Sequence, residues 1–198
     1  MSVTISPLKI LGRWRAGFAL DYHIISSTHI GDDEFGHPRF DTKRTPLGEL
    51  VYRLKNGADT SVTPDIVEAA VQFLKRWSPP VSGVIPVPPS NARRRVQPVP
   101  LIGKALAGTL DFEWLGGTVS KIRATPQLKD VLDLDKRTAL LTGAFAADKE
   151  RLKGKSVLLF DDLYRSGATM NSIADVLYDQ AEVSAVYALT LTRTKVKR

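Results

Sequence analysis

The stretch that most constrains the fold is "VLLFDDLYRSGATM", residues 157–170. It begins with four consecutive apolar residues, which are typical of a parallel strand buried on both faces of its sheet. Two aspartates follow directly, and a turn of small residues then leads into a helical pattern with Met170, Ile173 and Leu177 on one face. This order of strand, acidic pair, glycine turn and helix predicts part of an α/β sheet.

The rest of the chain alternates between strand-like and helix-like patterns. Strands are expected at 81–88, 117–122, 142–147, 156–160 and 184–193, and helices at 100–110 and 168–178. Upstream, the patterns predict one long strand or a hairpin arm at 17–30, a loop at 31–45, and amphipathic helices that begin near Leu47 and at Thr63. The alternation predicts an α/β domain whose largely parallel sheet is covered by helices on both faces.

Composition narrows the class of protein. A chain of 198 residues with 43% hydrophobic residues is long enough for one substantial core, so we expect one compact domain with small additions. The absence of cysteine excludes disulfides, thiolate zinc sites and a cysteine nucleophile. Apolar runs are too short for a membrane span or a signal peptide, so we expect a soluble, cytoplasmic protein with no membrane partner.

The net charge of +7 favours an anionic partner, such as a phosphorylated metabolite, a nucleic acid or an acidic protein. Arg93, Arg94 and Arg95 are consecutive, and four more basic residues lie within 193–198. The sign of the charge alone does not choose among these partners.

Ligands of open α/β sheets bind outside the carboxyl ends of the strands, and Asp161 and Asp162 follow such a strand. Neighbouring strand residues point to opposite faces, so the pair is better suited to hold a diol, or a metal bound to one, than to share a proton. The turn at 165–169 precedes a helix, whose free N–H groups and dipole favour phosphate. Together these features describe a site for ribose 5-phosphate.

These residues resemble a known family. "VLLFDDLYRSGAT" is similar to the fingerprint with which type I phosphoribosyltransferases bind phosphoribosyl pyrophosphate (PRPP). More narrowly, residues 45–193 resemble the ComF family of competence-associated phosphoribosyltransferase-like proteins. The matching segments are "TPLGELVYRLKNG", "VIPVPPSNARRR" and "RATPQLKDVLDLDKRTALLTGAF".

The resemblance implies a type I phosphoribosyltransferase fold, with a small strand-rich hood at 1–44 and the α/β domain at 45–198. It also implies that Asp161 and Asp162 engage the ribose hydroxyls, directly or through Mg²⁺. The implied loop for the 5-phosphate is Tyr164, Arg165, Ser166, Gly167, Ala168 and Thr169. The implied pyrophosphate loop is Pro88, Pro89, Ser90, Asn91, Ala92 and Arg93. The implied lid at 118–140 contributes Arg123, Thr125, Gln127, Lys129 and Arg137.

The chain also departs from the family. Residues 1–44 lack the four-cysteine zinc module of ComF-like proteins. Purine-salvage relatives carry an acidic residue in the phosphate loop where this chain has Tyr164 and Arg165, which disfavours a 6-oxopurine acceptor. His23, His29 and His37 are irregularly spaced and are expected to decorate a strand and a loop rather than to bind metal.

Two functions stay open. One is a Mg²⁺-dependent phosphoribosyltransferase with an unidentified acceptor and no assigned catalytic residue. The other is a non-catalytic ComF-like factor that binds a nucleotide, single-stranded DNA or a DNA-processing protein in DNA uptake, recombination or phage defence. The oligomeric state is also open, with a homodimer as one candidate.

Overall fold

The computed structural model describes residues 3–91, 93–123 and 140–195. Its strands are β1 Leu8–Lys9, β2 Ala16–Tyr22, β3 Ile24–Asp32, β4 Pro38–Arg44, β5 Gly83–Pro86, β6 Glu113–Trp114, β7 Val119–Lys121, β8 Phe145–Ala147, β9 Ser156–Tyr164 and β10 Ala185–Arg193. Its helices are α1 Pro46–Gly57, α2 Thr63–Trp77, α3 Pro98–Leu110, α4 Lys149–Leu152 and α5 Ala168–Asp179, with a 3₁₀ turn at Thr60–Val62. Within these ranges, no helix is both long enough and apolar enough to cross a membrane.

The main sheet has six strands in the order β1-β2-β10-β9-β5-β6. The pair β1 and β2 is antiparallel, and every other neighbouring pair in this sheet is parallel. The prediction of an α/β fold with a mostly parallel sheet is therefore confirmed. The strands β3 and β4, and β7 and β8, form two separate antiparallel hairpins.

Strand β9 separates two hydrophobic cores. Leu158 and Phe160 belong to the core that contains the inner faces of α1, α2 and α3, while Val157 and Leu159 belong to the core of α5 and the β7–β8 hairpin. All four side chains are fully buried. Burial of each such side chain stabilises the fold by roughly 1.5–3 kcal/mol, so β9 is held from both faces.

The N-terminal segment divides into two parts. Strand β2 lies inside the main sheet, parallel to β10, and the chain leaves the sheet at His23, whose N–H donates to Arg193 O. The predicted loop at 31–45 was wrong, because Pro38–Arg44 pairs with β3 in an exposed hairpin. This strand was not predicted because its mostly polar, exposed residues show no alternation of apolar and polar positions. Its stability comes from pairing with β3. The proposed boundary at residue 44 stays a prediction, although β1 and β2 share the main sheet.

Helix α1 is tied to the end of β2 at its first turn. The Thr45 hydroxyl donates to Tyr22 O at 2.6 Å and accepts the Gly48 N–H at 3.0 Å, which caps the helix. Gly48 lies so close to β2 that a Cβ there would stand 2.2 Å from His23 O. The absence of a side chain at Gly48 therefore lets α1 pack directly on the carboxyl end of β2.

Candidate functional site at the carboxyl edge of the sheet

The acidic pair lies in β9 at a point where one neighbouring strand, β5, has ended and the other, β10, continues. Strand β10 continues to pair with β9 as far as Arg193 and Tyr164, whereas β5 ends opposite Phe160. The predicted strand at 156–160 therefore extends to Tyr164. As a result, Asp161 and Asp162 lie beyond the end of β5, in a part of β9 that pairs with β10 alone among the described strands.

The two carboxylates have different surroundings. Asp162 is almost fully buried, and its carboxylate forms a salt bridge of 2.6 Å with the Lys55 ammonium. Asp161 is partly buried and accepts the backbone N–H of Asp162 at 2.8 Å. Burial, and then the neighbouring Asp162 charge, raise the pKa of Asp161 to about 8, although the Lys55 charge opposes this shift. A further cation close to Asp161 would therefore favour its ionised form.

Lys55 was not predicted as a site residue. It lies in the last turn of α1, and its side chain is 26% exposed. The sequence offered one signal, because Lys55 belongs to the "LKNG" end of the segment that resembles ComF proteins. That segment predicted a helix, and only the packing of α1 brings its lysine to β9.

His23, which was expected to decorate a strand or loop rather than to bind metal, lies half-buried at the end of β2. Its Nδ1 lies 3.1 Å from the Thr192 Oγ1, and that hydroxyl donates its proton to Asp162 O at 3.2 Å. When the Thr192 hydroxyl donates to Asp162 O, it can accept a hydrogen bond from a protonated Nδ1 of His23. Burial lowers the pKa of His23, and the charges of Arg44 and Lys55 lower it further. His23 is thus a neutral group beside the acidic pair.

The other two histidines remain on the surface, as expected. His29 and His37 lie on the exposed hairpin, where they contact Asp32 and Asp33 respectively. Among the described residues, no group of three or more histidine or acidic side chains is placed to hold a metal ion.

The predicted phosphate loop begins with a tight turn. Gly167 has a φ of +77°, and α5 starts at the next residue. The Ala168 N–H lies 3.5 Å from the Ser166 hydroxyl, and the first N–H groups of a helix have no partner within the helix. Arg165 is exposed and forms no salt bridge with a residue that the structure describes. The turn therefore presents N–H groups, a hydroxyl and a free guanidinium beside the carboxylates.

The side chain of Tyr164 packs against this turn at Gly167. Its ring packs under Gly167, where a Cβ would stand 2.6 Å from the Tyr164 hydroxyl oxygen. The hydroxyl itself donates to Leu11 O at 3.0 Å, and the Arg193 guanidinium lies 5.7 Å from the ring centroid. The side chain of Tyr164 thus points toward the N-terminal segment and shapes the loop from outside it.

The predicted pyrophosphate loop follows β5. Asn91 organises it, because its side chain accepts the Arg93 N–H at 3.0 Å and its carbonyl accepts from the Gln97 amide at 2.9 Å. Pro88, Pro89 and Ser90 precede this turn, and Ala92 lies outside the described residues. Arg93 is exposed, and neither it nor its two arginine neighbours forms a salt bridge within the described chain.

Of the five side chains that the lid was predicted to contribute, the structure describes that of Arg123. Its guanidinium donates to the carbonyls of Leu140 and Thr142 at 2.9 and 2.8 Å. Arg123 therefore joins the two described ends that flank residues 124–139. The other predicted lid residues, Thr125, Gln127, Lys129 and Arg137, lie outside the described residues.

The donor set allows a limited role for Mg²⁺. Magnesium ions are commonly bound through one or two carboxylates together with oxygens of the substrate. Asp161 fits this role, because its oxygens are free of ion pairs among the described residues and a nearby cation would oppose the burial that raises its pKa. Asp162 fits it less well, because Lys55 already neutralises its charge.

No protein-family model matches the chain, and no curated protein is significantly similar to it. Among solved structures, the chain is similar to adenine phosphoribosyltransferase from Saccharomyces cerevisiae in complex with an iminoaltritol bisphosphate and adenine, at 14% identity over 84% of this chain and 85% of that chain, with a TM-score of 0.47. The chain is also similar to the Trypanosoma brucei enzyme in complex with AMP, pyrophosphate and ribose-5-phosphate, at 14% identity over 94% of this chain and 73% of that chain, with a TM-score of 0.47. It is similar to the Thermoanaerobacter pseudethanolicus enzyme at 14% identity over 84% of this chain and 95% of that chain, with a TM-score of 0.46. The narrower resemblance to ComF proteins stays a prediction.

We expect Gly167→Ala to destabilise the protein more than Gly154→Ala. Both glycines have a positive φ, of +77° and +73°, but only the Cβ at residue 167 would meet another side chain, that of Tyr164. The backbone strain should cost about 1 kcal/mol in each variant, and the clash should add roughly 1–2 kcal/mol at residue 167. Urea unfolding measures both losses, and equal losses would contradict the tight packing of the turn on Tyr164.

We expect the free energy of unfolding of the Asp161→Asn variant to increase, relative to that of the protein with Asp161, as the pH rises. The pKa of Asp161 rises from 3.8 to about 8 on folding, so between these values the folded state holds a proton that the unfolded state has released. The stability of the unchanged protein therefore falls with rising pH in this window, whereas asparagine does not titrate. Urea unfolding at several pH values, with exposed Asp111→Asn as the control for the exchange itself, tests this; a constant difference would contradict it.

Proposed function

We propose that the protein binds PRPP, or another ligand with a ribose 5-phosphate, at the carboxyl edge of β9 and acts as a phosphoribosyltransferase with Mg²⁺. The observation that supports this most directly is that β9 continues beyond β5 and leads through Gly167 into α5. This arrangement puts two carboxylates and a helix N-terminus at one edge of the sheet. A vicinal diol and a phosphate are the groups that these two features bind best.

In this proposal the acidic pair accepts hydrogen bonds from the ribose hydroxyls. The phosphate lies on the turn from Arg165 to Thr169, where backbone N–H groups and the positive end of α5 face it. The guanidinium of Arg165 is free to neutralise part of the phosphate charge, because no described residue pairs with it. Tyr164 contributes indirectly, through the packing of its ring under Gly167.

The pyrophosphate is proposed to lie between the loop at 88–93 and the lid at 118–140. A bound Mg²⁺, held by Asp161 and by oxygens of the ligand, would supply positive charge to the leaving pyrophosphate. Transfer from PRPP passes through an oxocarbenium-like ribosyl centre, so catalysis rests on placement and on stabilisation of the leaving group. No dedicated general base is required. The acceptor is not identified, and the segment at 1–44 is the proposed hood over it.

Thermal unfolding with and without PRPP and Mg²⁺ tests this proposal. At a ligand concentration about 100-fold above Kd, we expect the midpoint to rise by roughly 5–10 °C. The double variant Asp161→Asn with Asp162→Asn should lose most of this shift. The matched control is Asp111→Asn with Asp179→Asn, which removes two exposed carboxylates at the opposite end of the sheet and should keep the shift. An unchanged midpoint in the native protein, or an equal shift in the acidic-pair variant, would refute the proposal.

Single-stranded DNA is a second candidate ligand. Arg93, Arg94 and Arg95 form no salt bridge with a described residue, and they lie in the loop that follows β5. This free positive charge beside the proposed site also suits a nucleic-acid backbone, as in the alternative of a non-catalytic ComF-like factor.

For DNA binding, we expect the affinity for a labelled oligonucleotide to fall steeply with salt, because each neutralised phosphate releases counterions. Arg93→Ala with Arg95→Ala should weaken binding and flatten the salt dependence by about one unit of slope for each lost contact. The control Lys149→Ala with Lys153→Ala removes two cations near Glu182 and should leave the slope unchanged. Fluorescence anisotropy measures both effects, and binding that ignores salt would rule this candidate out.

A further inference from the structure

Lys55 is held firmly against the acidic pair. Its helix is capped at Thr45, and the adjacent Leu54 is fully buried in the core. The other end of α1 is tied down by a salt bridge of 2.6 Å between Arg53 and Asp59. The ammonium of Lys55 therefore reaches Asp162 from a helix that is anchored at both ends.

The remaining cations near Asp162 are engaged elsewhere or point outward. The Arg44 guanidinium stacks at 3.6 Å on the Tyr52 ring and lies 3.4 Å from Glu49. Arg165 is exposed, and His23 is held neutral by burial and by the surrounding positive charge. Within the described residues, Lys55 is thus the cation that forms an ion pair with Asp162.

A cation beside Asp162 stabilises the charged form of this carboxylate. The carboxylate is only 8% exposed and directly follows a second carboxylate in the chain. An unpaired charge with so little access to water is strongly destabilising, and a dianionic phosphate nearby would add repulsion. Without a nearby basic side chain, a bound metal ion would have to supply the positive charge that offsets the Asp162 carboxylate. Here a covalently attached ammonium is already present.

We propose that Lys55 takes the place of a metal ion on Asp162, so that the acidic pair binds the ribose diol without Mg²⁺. This inference rests on the proposed function and deepens it. Lys55 contacts one oxygen of Asp162, and no described residue forms a hydrogen bond with the other oxygen, which could therefore accept from a ribose hydroxyl. Magnesium is then required only by the pyrophosphate of the ligand, beside Asp161. Lys55 is a positioning residue, because it acts through Asp162.

Ribose 5-phosphate tests whether the diol needs Mg²⁺ independently of the pyrophosphate, because it has the diol and the phosphate but no pyrophosphate. We expect its affinity for the native protein, measured by calorimetric titration, to be the same in EDTA and in Mg²⁺ within about threefold. Lys55→Gln should weaken binding in EDTA by roughly tenfold or more, because the uncompensated Asp162 repels the phosphate, and Mg²⁺ should restore it. Lys55→Arg should keep binding in EDTA.

A second substitution keeps the test independent of a general loss of stability. Lys55→Gln with Asp162→Asn removes both charges, so binding of ribose 5-phosphate in this double variant should again be insensitive to EDTA. The thermal midpoint of each variant without ligand shows that it is folded.

The outcomes distinguish this inference from the proposed function. If ribose 5-phosphate and PRPP fail to bind the native protein under all conditions, the proposed function is overturned and this inference falls with it. If ribose 5-phosphate binds the native protein only with Mg²⁺, or if Lys55→Gln binds equally well in EDTA, the proposed function stands and Lys55 does not replace a metal. Metal-independent binding that becomes metal-dependent in Lys55→Gln supports the inference.

Discussion

The continued pairing of β9 with β10 beyond the end of β5 is the constraint on which the candidate site depends. The backbone of β9 is held through Tyr164 on one side, while the other side opens after Phe160. A strand with one free edge at the carboxyl end of a parallel sheet gives ligands access to its side chains without losing its own order. The acidic pair, the Gly167 turn and the start of α5 all take their positions from this half-paired segment.

The electrostatics of this edge depend on burial as much as on the number of charges. Burial shifts Asp161 and His23 toward their neutral forms, and the pKa moves up for the acid and down for the base. Asp162 forms a salt bridge of 2.6 Å with Lys55. The exposed Arg165 forms no salt bridge with a described residue and adds a positive charge to this edge. An edge of this kind favours an anionic group that brings hydroxyl donors with it, as a sugar phosphate does.

Most of the main sheet and its helices could be predicted, because their signals are local. The apolar run before Asp161 and the helical spacing in α1, α2, α3 and α5 each report burial of one segment against the core. The β3–β4 hairpin could not be predicted, because its stability comes from pairing between two exposed polar strands. The end of β9 was predicted too early for a related reason. Pairing with β10 extends β9 to Tyr164, and the length of β10 cannot be inferred from the residues of β9.

By itself, the sequence determined the α/β alternation and the acidic pair with a glycine turn, since both follow from the order of neighbouring residues. It did not determine what surrounds that pair. Lys55 reaches Asp162 only because α1 packs through Gly48 onto the end of β2, and His23 reaches Thr192 only because β2 lies beside β10. These contacts join residues that are distant in the chain and whose side-chain types carry no local signal. The tertiary structure therefore decided the charge balance of the site, because that balance depends on distances across the edge of the sheet.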